Sequence, residues 1–112
     1  MNIFEQPGSP LNVGALLVGE QHLAATGAVA ENVTAVTVDT TAAAVIVNLP
    51  PAAEWTGRLL IVSVLAGGVN AATITPNGTD TVGGAANNAR TGLGKFAILR
   101  AKGTDWNVLA AN

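Results

Sequence analysis

The chain has 112 residues, of which 49% are hydrophobic and 11% are charged, and its formal net charge is −2. This length fits one domain. The chain contains no cysteine, which excludes disulfides and thiolate metal sites, and it has no basic cluster with interleaved aromatic residues, so nucleic acid is not an expected partner.

The apolar residues are mostly small. Alanine and valine dominate, and the only aromatic residues are Phe4, Trp55, Phe96 and Trp106. Because small side chains bury little area each, and because an uncharged surface suits contact with other protein, we expect association between copies to supply part of the stability. A weakly charged monomer is the alternative.

The charges are divided between the two halves of the chain. Residues 1–56 hold five acidic residues and no Lys or Arg, whereas residues 57–112 hold five basic residues and two acidic ones. The halves either neutralise each other within one fold or form complementary faces on neighbouring subunits. Both interpretations are open at this point.

Residues 1–30 are predicted to be an extended N-terminal arm, with a short strand or turn as an alternative for part of it. Prolines and glycines interrupt the apolar residues there, and no sustained period is visible. Residues 11–18 are apolar but short, and no basic residue precedes them, which argues against a signal peptide. No stretch reaches the roughly 20 apolar residues that span a bilayer, so no membrane partner is expected.

Residues 31–112 are predicted to be a β domain. The run 57–66 is the most apolar, and it is predicted to be a central strand buried on both faces. Pro50 and Pro51 end the strand before it, since proline cannot donate to a ladder. The loop 85–92 connects later strands. Strands are predicted over residues 33–39, 43–49, 57–66, 70–76, 80–84, 93–101 and 106–110.

Alternation orients the side chains of the last two strands. Phe96, Ile98 and Arg100 should point to one side of their strand, with Ala97 and Leu99 on the other, while Trp106, Val108 and Ala110 should share one face. Seven or eight short strands at about ten-residue spacing predict an all-β fold, an antiparallel β-sandwich or jelly-roll-like domain, with a small barrel as the alternative.

Side chains suited to catalysis are few. His22 is the only histidine, and a triad of Ser63, His22 and Asp39 has no motif to support it, because Ser63 lies in the middle of a predicted strand. Asp80 and Asp105 lie in turns, where Asp bonds the backbone, with a calcium site at Asp80 as the alternative. We therefore predict a non-enzyme with no catalytic residue, no cofactor and no metal.

Trp55 has two interpretations. It follows the loop sequence LPPAAE, where a tryptophan packs at the end of a sheet or in an interface, or forms a platform for a ligand such as a glycan. Packing is favoured. The Gly-rich stretch 83–94 lacks the lysine of a P-loop and no helix follows it, so we interpret it as a flexible connection.

The order of motifs over residues 33–110 resembles a β-rich module of tailed-bacteriophage virion proteins. An alternating apolar strand runs into Leu-Pro, and a variable loop and a hydrophobic strand that begins at Gly follow. A Thr-Ile-Thr-Pro strand, a Gly-rich turn and a closing Gly-Thr-Asp-Trp-Asn-Val strand complete the pattern. Such modules occur in tail fibres and spikes and in capsid decoration (cement) proteins, often as trimers. The resemblance implies a structural role in the virion, with no catalytic residues.

The short arm before the module favours a capsid decoration protein that stabilises a phage head by binding the shell as an oligomer. The expected partners are the chain itself, as a homotrimer, and the major capsid protein or other virion proteins. The protein would be made in the host cytoplasm and located in the virion. The alternative is a tail-fibre or tail-tip module that binds a host receptor or glycan through an exposed Trp55. The residues expected at oligomer or shell contacts are Phe4, Leu11, Val13, Leu16, Leu17, Val18 and Trp55.

Overall fold

In the computed structural model of this chain, residues 19–112 are described, and they are mostly β-structure. A short 3-10 helix over Ala52–Trp55 follows the two prolines. The all-β class predicted from the sequence is confirmed for this part of the chain. The strands are β1 (Gly19–Leu23), β2 (Gly27–Ala28), β3 (Val33–Asp39), β4 (Val45–Asn48), β5 (Leu59–Ala66), β6 (Ala72–Thr75), β7 (Thr81–Val82), β8 (Asn88–Arg90), β9 (Phe96–Lys102) and β10 (Asp105–Ala111).

The strands form two sheets between which the chain alternates. The six-stranded sheet has the order β1-β3-β5-β9-β10-β7, and the four-stranded sheet has the order β2-β4-β6-β8. Each turn of the chain from β1 to β6 adds one strand to each sheet. As a result β1, β3 and β5 run parallel to one another, and so do β2, β4 and β6. This is the winding of a short β-helix.

The observed pairing corrects the predicted antiparallel arrangement. Among the described strands, five pairings are parallel and three are antiparallel. The turn between β9 and β10 is the one connection, within residues 19–112, that joins two consecutive strands paired with each other. The even spacing of turns reports where strands end. It does not report whether the next strand returns beside the last or crosses to another sheet.

Most strand positions agree with the predicted ones, and two regions differ. β3 covers residues 33–39 as predicted, whereas the predicted 85–92 loop contains β8. β1 and β2 lie within the predicted arm, so the sheets begin before residue 31. Pairing with β3 and β4 holds these strands, and the Gln21 side chain joins them, because its amide donates to the Ala28 carbonyl oxygen and accepts from the Ala30 N–H, both at 2.9 Å.

One hydrophobic cluster joins the two sheets. It takes alternate residues from each strand, so that neighbouring side chains point the other way. Trp106 is its largest fully buried side chain. The cluster contains Val36 and Val38 of β3, Val45 and Val47 of β4, Leu60, Val62 and Val64 of β5, Ala72 and Ile74 of β6, and Ala97, Leu99 and Ala101 of β9, among others.

Two tryptophans from distant parts of the chain pack together in this core. The ring of Trp55, on the 3-10 helix, lies 5.8 Å from the ring of Trp106, on β10. The Trp106 indole N–H donates to the carbonyl oxygen of Pro50 at 3.3 Å, and the Arg58 guanidinium lies 3.7 Å from the centre of the Trp55 ring. The pair therefore anchors the Pro-rich connection to the last strand.

Successive turns of the chain are joined at a corner formed by Thr40 and the loop after β5. Thr40 is buried, and its hydroxyl oxygen accepts from the Gly68 N–H at 3.1 Å. Its backbone carbonyl accepts from the Asn70 side chain at 3.0 Å. Gly67 approaches so closely, with φ +89°, that an added Cβ would lie 2.6 Å from the Thr40 hydroxyl oxygen. The corner therefore requires glycine.

The last two strands show one further difference from the predicted pattern. In β9, Ala97 and Leu99 are buried and Phe96, Ile98 and Arg100 lie on the other side, as predicted. In β10, Trp106 is buried and Val108 packs against the core, but Ala110 is exposed. The register of the β9–β10 pair shifts between Ile98 and Leu99, and such an extra residue moves the following side chain to the opposite face.

Candidate interaction surface

The outer face of the six-stranded sheet, on the side away from the core, is apolar at its centre. Along β5, buried side chains alternate with Leu59, Ile61 and Leu65, which are 47%, 40% and 61% exposed. The prediction that this strand is buried on both faces is therefore wrong for the described structure. β5 is central in its sheet, but only its inner side chains reach the core.

Neighbouring strands extend this apolar region. Ile61 pairs with Ile98 of β9 on one side and with Ala35 of β3 on the other. Phe96, which pairs with Ser63, lies on the same face. We call the outward side chains of Leu59, Ile61, Leu65, Phe96 and Ile98 the apolar stripe.

Charged side chains of opposite sign border the apolar stripe, acidic on the β1 side and basic at the end of β9. Glu20, exposed on β1, stands in the same cross-strand row as Ala35 and Ile61. Arg100 and Lys102, both exposed, continue β9 beyond Ile98. Because β1 and β9 are three strand spacings apart, about 14 Å, Glu20 and Arg100 do not reach each other within one chain.

The outer face of the four-stranded sheet differs in composition. Thr73 and Thr75 alternate with buried residues on β6, and Asn48 is exposed on β4. Ile46, 42% exposed, is the large apolar side chain on this face within the described strands. The apolar character is therefore specific to the six-stranded sheet.

The seven predicted contact residues are placed as follows. Trp55 is 3% exposed, with its ring against Trp106 and beneath Arg58, so it offers little surface to a neighbouring protein or to a glycan. The structure supports packing for this ring, and its assignment as a contact residue stays a prediction. The other six, Phe4, Leu11, Val13, Leu16, Leu17 and Val18, lie outside the described residues.

His22, Ser63 and Asp39 lie near one another, but their hydrogen bonds are not those of a triad. His22 and Ser63 flank Thr37 in one cross-strand row, and His22 Nδ1 lies 2.8 Å from the Thr37 hydroxyl oxygen. Hydrogen bonds from the hydroxyl and the backbone N–H of Thr41 lower the pKa of Asp39 below its ordinary value of 3.8. Two strand spacings, about 10 Å, separate His22 from Ser63.

The carboxylates of Asp80 and Asp105 accept hydrogen bonds from groups of the chain itself. A carboxylate oxygen of Asp80 accepts from the Ala52 N–H at 2.9 Å, which ties the 3-10 helix to the turn before β7. A carboxylate oxygen of Asp105 accepts from the Thr81 hydroxyl and from the Gly84 N–H. Within residues 19–112, no three His, Cys, Asp or Glu side chains gather as a metal site would require, and no pocket is formed.

Comparison of the chain with protein-family models, with curated proteins and with solved structures found no match. No helix in the described part of the chain is long and apolar enough to cross a membrane. The surface must therefore be interpreted from its own chemistry.

The sequence interpretation missed the apolar stripe, although a signal for it was present. The segment LLIVSVLA shows no alternation, which is typical of a strand with apolar contacts on both sides. One side contacts the core, and the other side carries Leu59, Ile61 and Leu65 at the surface. This second side is therefore the candidate interaction surface.

Proposed function

We propose that this chain is a non-enzymatic structural protein of a phage virion, a capsid decoration protein that binds the shell as a trimer and stabilises it. The observation that carries the proposal is the apolar stripe, which exposes large side chains in the centre of a sheet of a weakly charged protein. Single exposed apolar residues are ordinary on a surface, whereas a contiguous group marks an interaction site.

Two further observations support the proposal. The order of motifs over residues 33–110 resembles modules of virion proteins. The two sheets share one core, and a domain held together by one core suits repeated placement on a lattice. The alternative, a receptor-binding or glycan-binding tail module, depended on an exposed Trp55, and that ring is buried.

Binding to capsids tests the proposed function directly. Undecorated capsids, assembled from the major capsid protein encoded by the same genome, are mixed with the purified chain, sedimented and examined by electron microscopy. We expect saturable binding at regular lattice positions and greater resistance of the capsid to heat. Absence of binding, together with binding to host surface glycans on an array, would contradict the proposal and favour the tail module.

The apolar arm is expected to attach the protein to the shell. Deletion of residues 1–17 leaves β1, which begins at Gly19, intact. We expect the truncated protein to keep its far-UV circular dichroism and to bind capsids at least tenfold more weakly, because several apolar contacts at about 1.5–3 kcal/mol each are removed. Unchanged capsid binding by the folded truncated protein would contradict this role of the arm.

A further inference from the structure

The outer face of the six-stranded sheet has two properties that together indicate what covers it. The apolar stripe occupies its centre, on β5 and β9. Glu20 lies two strands from β5 on one side of the stripe, and Arg100 and Lys102 continue β9 at one end of it, where Arg100 pairs with Leu59. A surface with an apolar centre, an acidic side and a basic side is complementary to a copy of itself.

The geometry of the sheet defines how copies would meet. When copies are related by a rotation axis that runs along the strands, each residue stays at its height. The β1 edge of one copy then meets the β10 edge of the next, with β9 one strand further in. Glu20 then lies at the height of Ile98 and Ala110. Arg100 is one row away, about 7 Å along the strand, and one strand spacing, about 5 Å, inside the β10 edge. These displacements lie within the combined reach of the two long side chains.

We propose that the outer face of the six-stranded sheet is the interface between copies of this chain, which surround an axis parallel to β5. The apolar stripe lies nearest the axis, and Glu20 of each copy pairs with Arg100 of the next. The number of copies, three, rests on the proposed function, whereas the face and the charge pairing rest on the described residues alone.

The test is the mass in solution, measured by light scattering on a sizing column over a range of concentrations. The wild-type chain is expected to form a trimer. Ile61→Arg places a charge in the centre of the stripe and should convert the protein to a monomer with unchanged circular dichroism. The control is Ile46→Arg, at a position of similar exposure on the other sheet (42% against 40%), which should leave the trimer intact.

Exchange of the two charges tests the pairing between Glu20 and Arg100. Both residues are exposed, so their replacement does not disturb the core. Glu20→Arg and Arg100→Glu should each raise the dissociation constant of the assembly about tenfold or more, because each brings like charges together. The double variant restores opposite charges, and its constant should return to within about threefold of the wild-type value.

The outcomes separate this inference from the proposed function. A wild-type protein that stays monomeric, or an Ile61→Arg variant that stays assembled, contradicts the proposed interface. Neither result bears on binding to capsids, which is tested separately by sedimentation. A dimer that Ile61→Arg dissociates supports the interface and contradicts the trimer. A trimer that fails to bind capsids supports the interface and contradicts the decoration protein.

Discussion

Replacement of Trp106 by alanine should remove much of the stability of the domain. The side chain is completely buried, and its loss is expected to cost about 3–5 kcal/mol in the free energy of unfolding. Roughly 1 kcal/mol of this belongs to the contact with the tilted ring of Trp55, whose centre is 5.8 Å away. Since domains of this kind are stable by about 5–15 kcal/mol, the variant should be close to unfolding at moderate temperature.

The measurement is urea denaturation monitored by far-UV circular dichroism. Tryptophan fluorescence is unsuitable because the substitution removes one of the two tryptophans. Protein concentration is held constant, since association between copies adds to apparent stability. A double-mutant cycle with Trp55→Ala isolates the contact between the rings, and we expect a coupling energy of about 0.5–1.5 kcal/mol.

Two control variants separate the packing of Trp106 from other effects on stability. Trp106→Phe keeps an aromatic ring but loses the N–H that donates to Pro50, and it should cost about 1–2 kcal/mol. Leu93→Ala, at a 66% exposed position, should change stability by no more than about 0.5 kcal/mol. If Trp106→Ala costs less than about 1 kcal/mol, or if its effect is purely additive with that of Trp55→Ala, the packing argument is wrong.

Two further predictions concern the backbone corner and acid stability. Gly67→Ala should lower the free energy of unfolding by about 1–3 kcal/mol more than Gly57→Ala, because both have positive φ but only Gly67 would place a Cβ against Thr40; equal urea midpoints would contradict this. The pKa of Asp39 lies below 3.8 in the folded chain. The ionised carboxylate therefore stabilises the fold at any pH above the pKa of the unfolded chain, and this contribution is lost as the pH falls through the pKa of the folded chain. Asp39→Asn should therefore flatten the fall in urea midpoint below about pH 4, and an unchanged acid profile would show that this carboxylate does not contribute.

The strand positions could be predicted from the sequence because they depend on local features. Runs of β-branched residues, the prolines after Leu49 and the glycine-containing turns placed β3, β5, β9 and β10 close to their observed bounds. β8 was missed because Asn88–Arg90 has weak β propensity, and pairing with β6 holds it in place. β1 and β2 escaped recognition as sheet strands for the same reason.

The candidate site could be predicted only in its general character. The low charge and the apolar composition predict association between copies, which stays a prediction, and the residues chosen for it were those of the arm and Trp55. Trp55 is the partner of a tryptophan 51 positions further along the chain, and no local pattern reveals that contact. Leu59, Ile61 and Leu65 looked like core, because residue type records how apolar a side chain is and not which side of a sheet the core occupies.

The amino-acid sequence was sufficient to establish a β-rich chain with small apolar side chains, few charges and strand ends at prolines and glycines, because these properties belong to single residues and their neighbours. The parallel pairing, the passage of the chain between two sheets and the exposure of the apolar stripe depend on contacts between residues far apart in sequence. They were decided by the tertiary structure, since the energy of a strand pair comes from the partner that lies beside it.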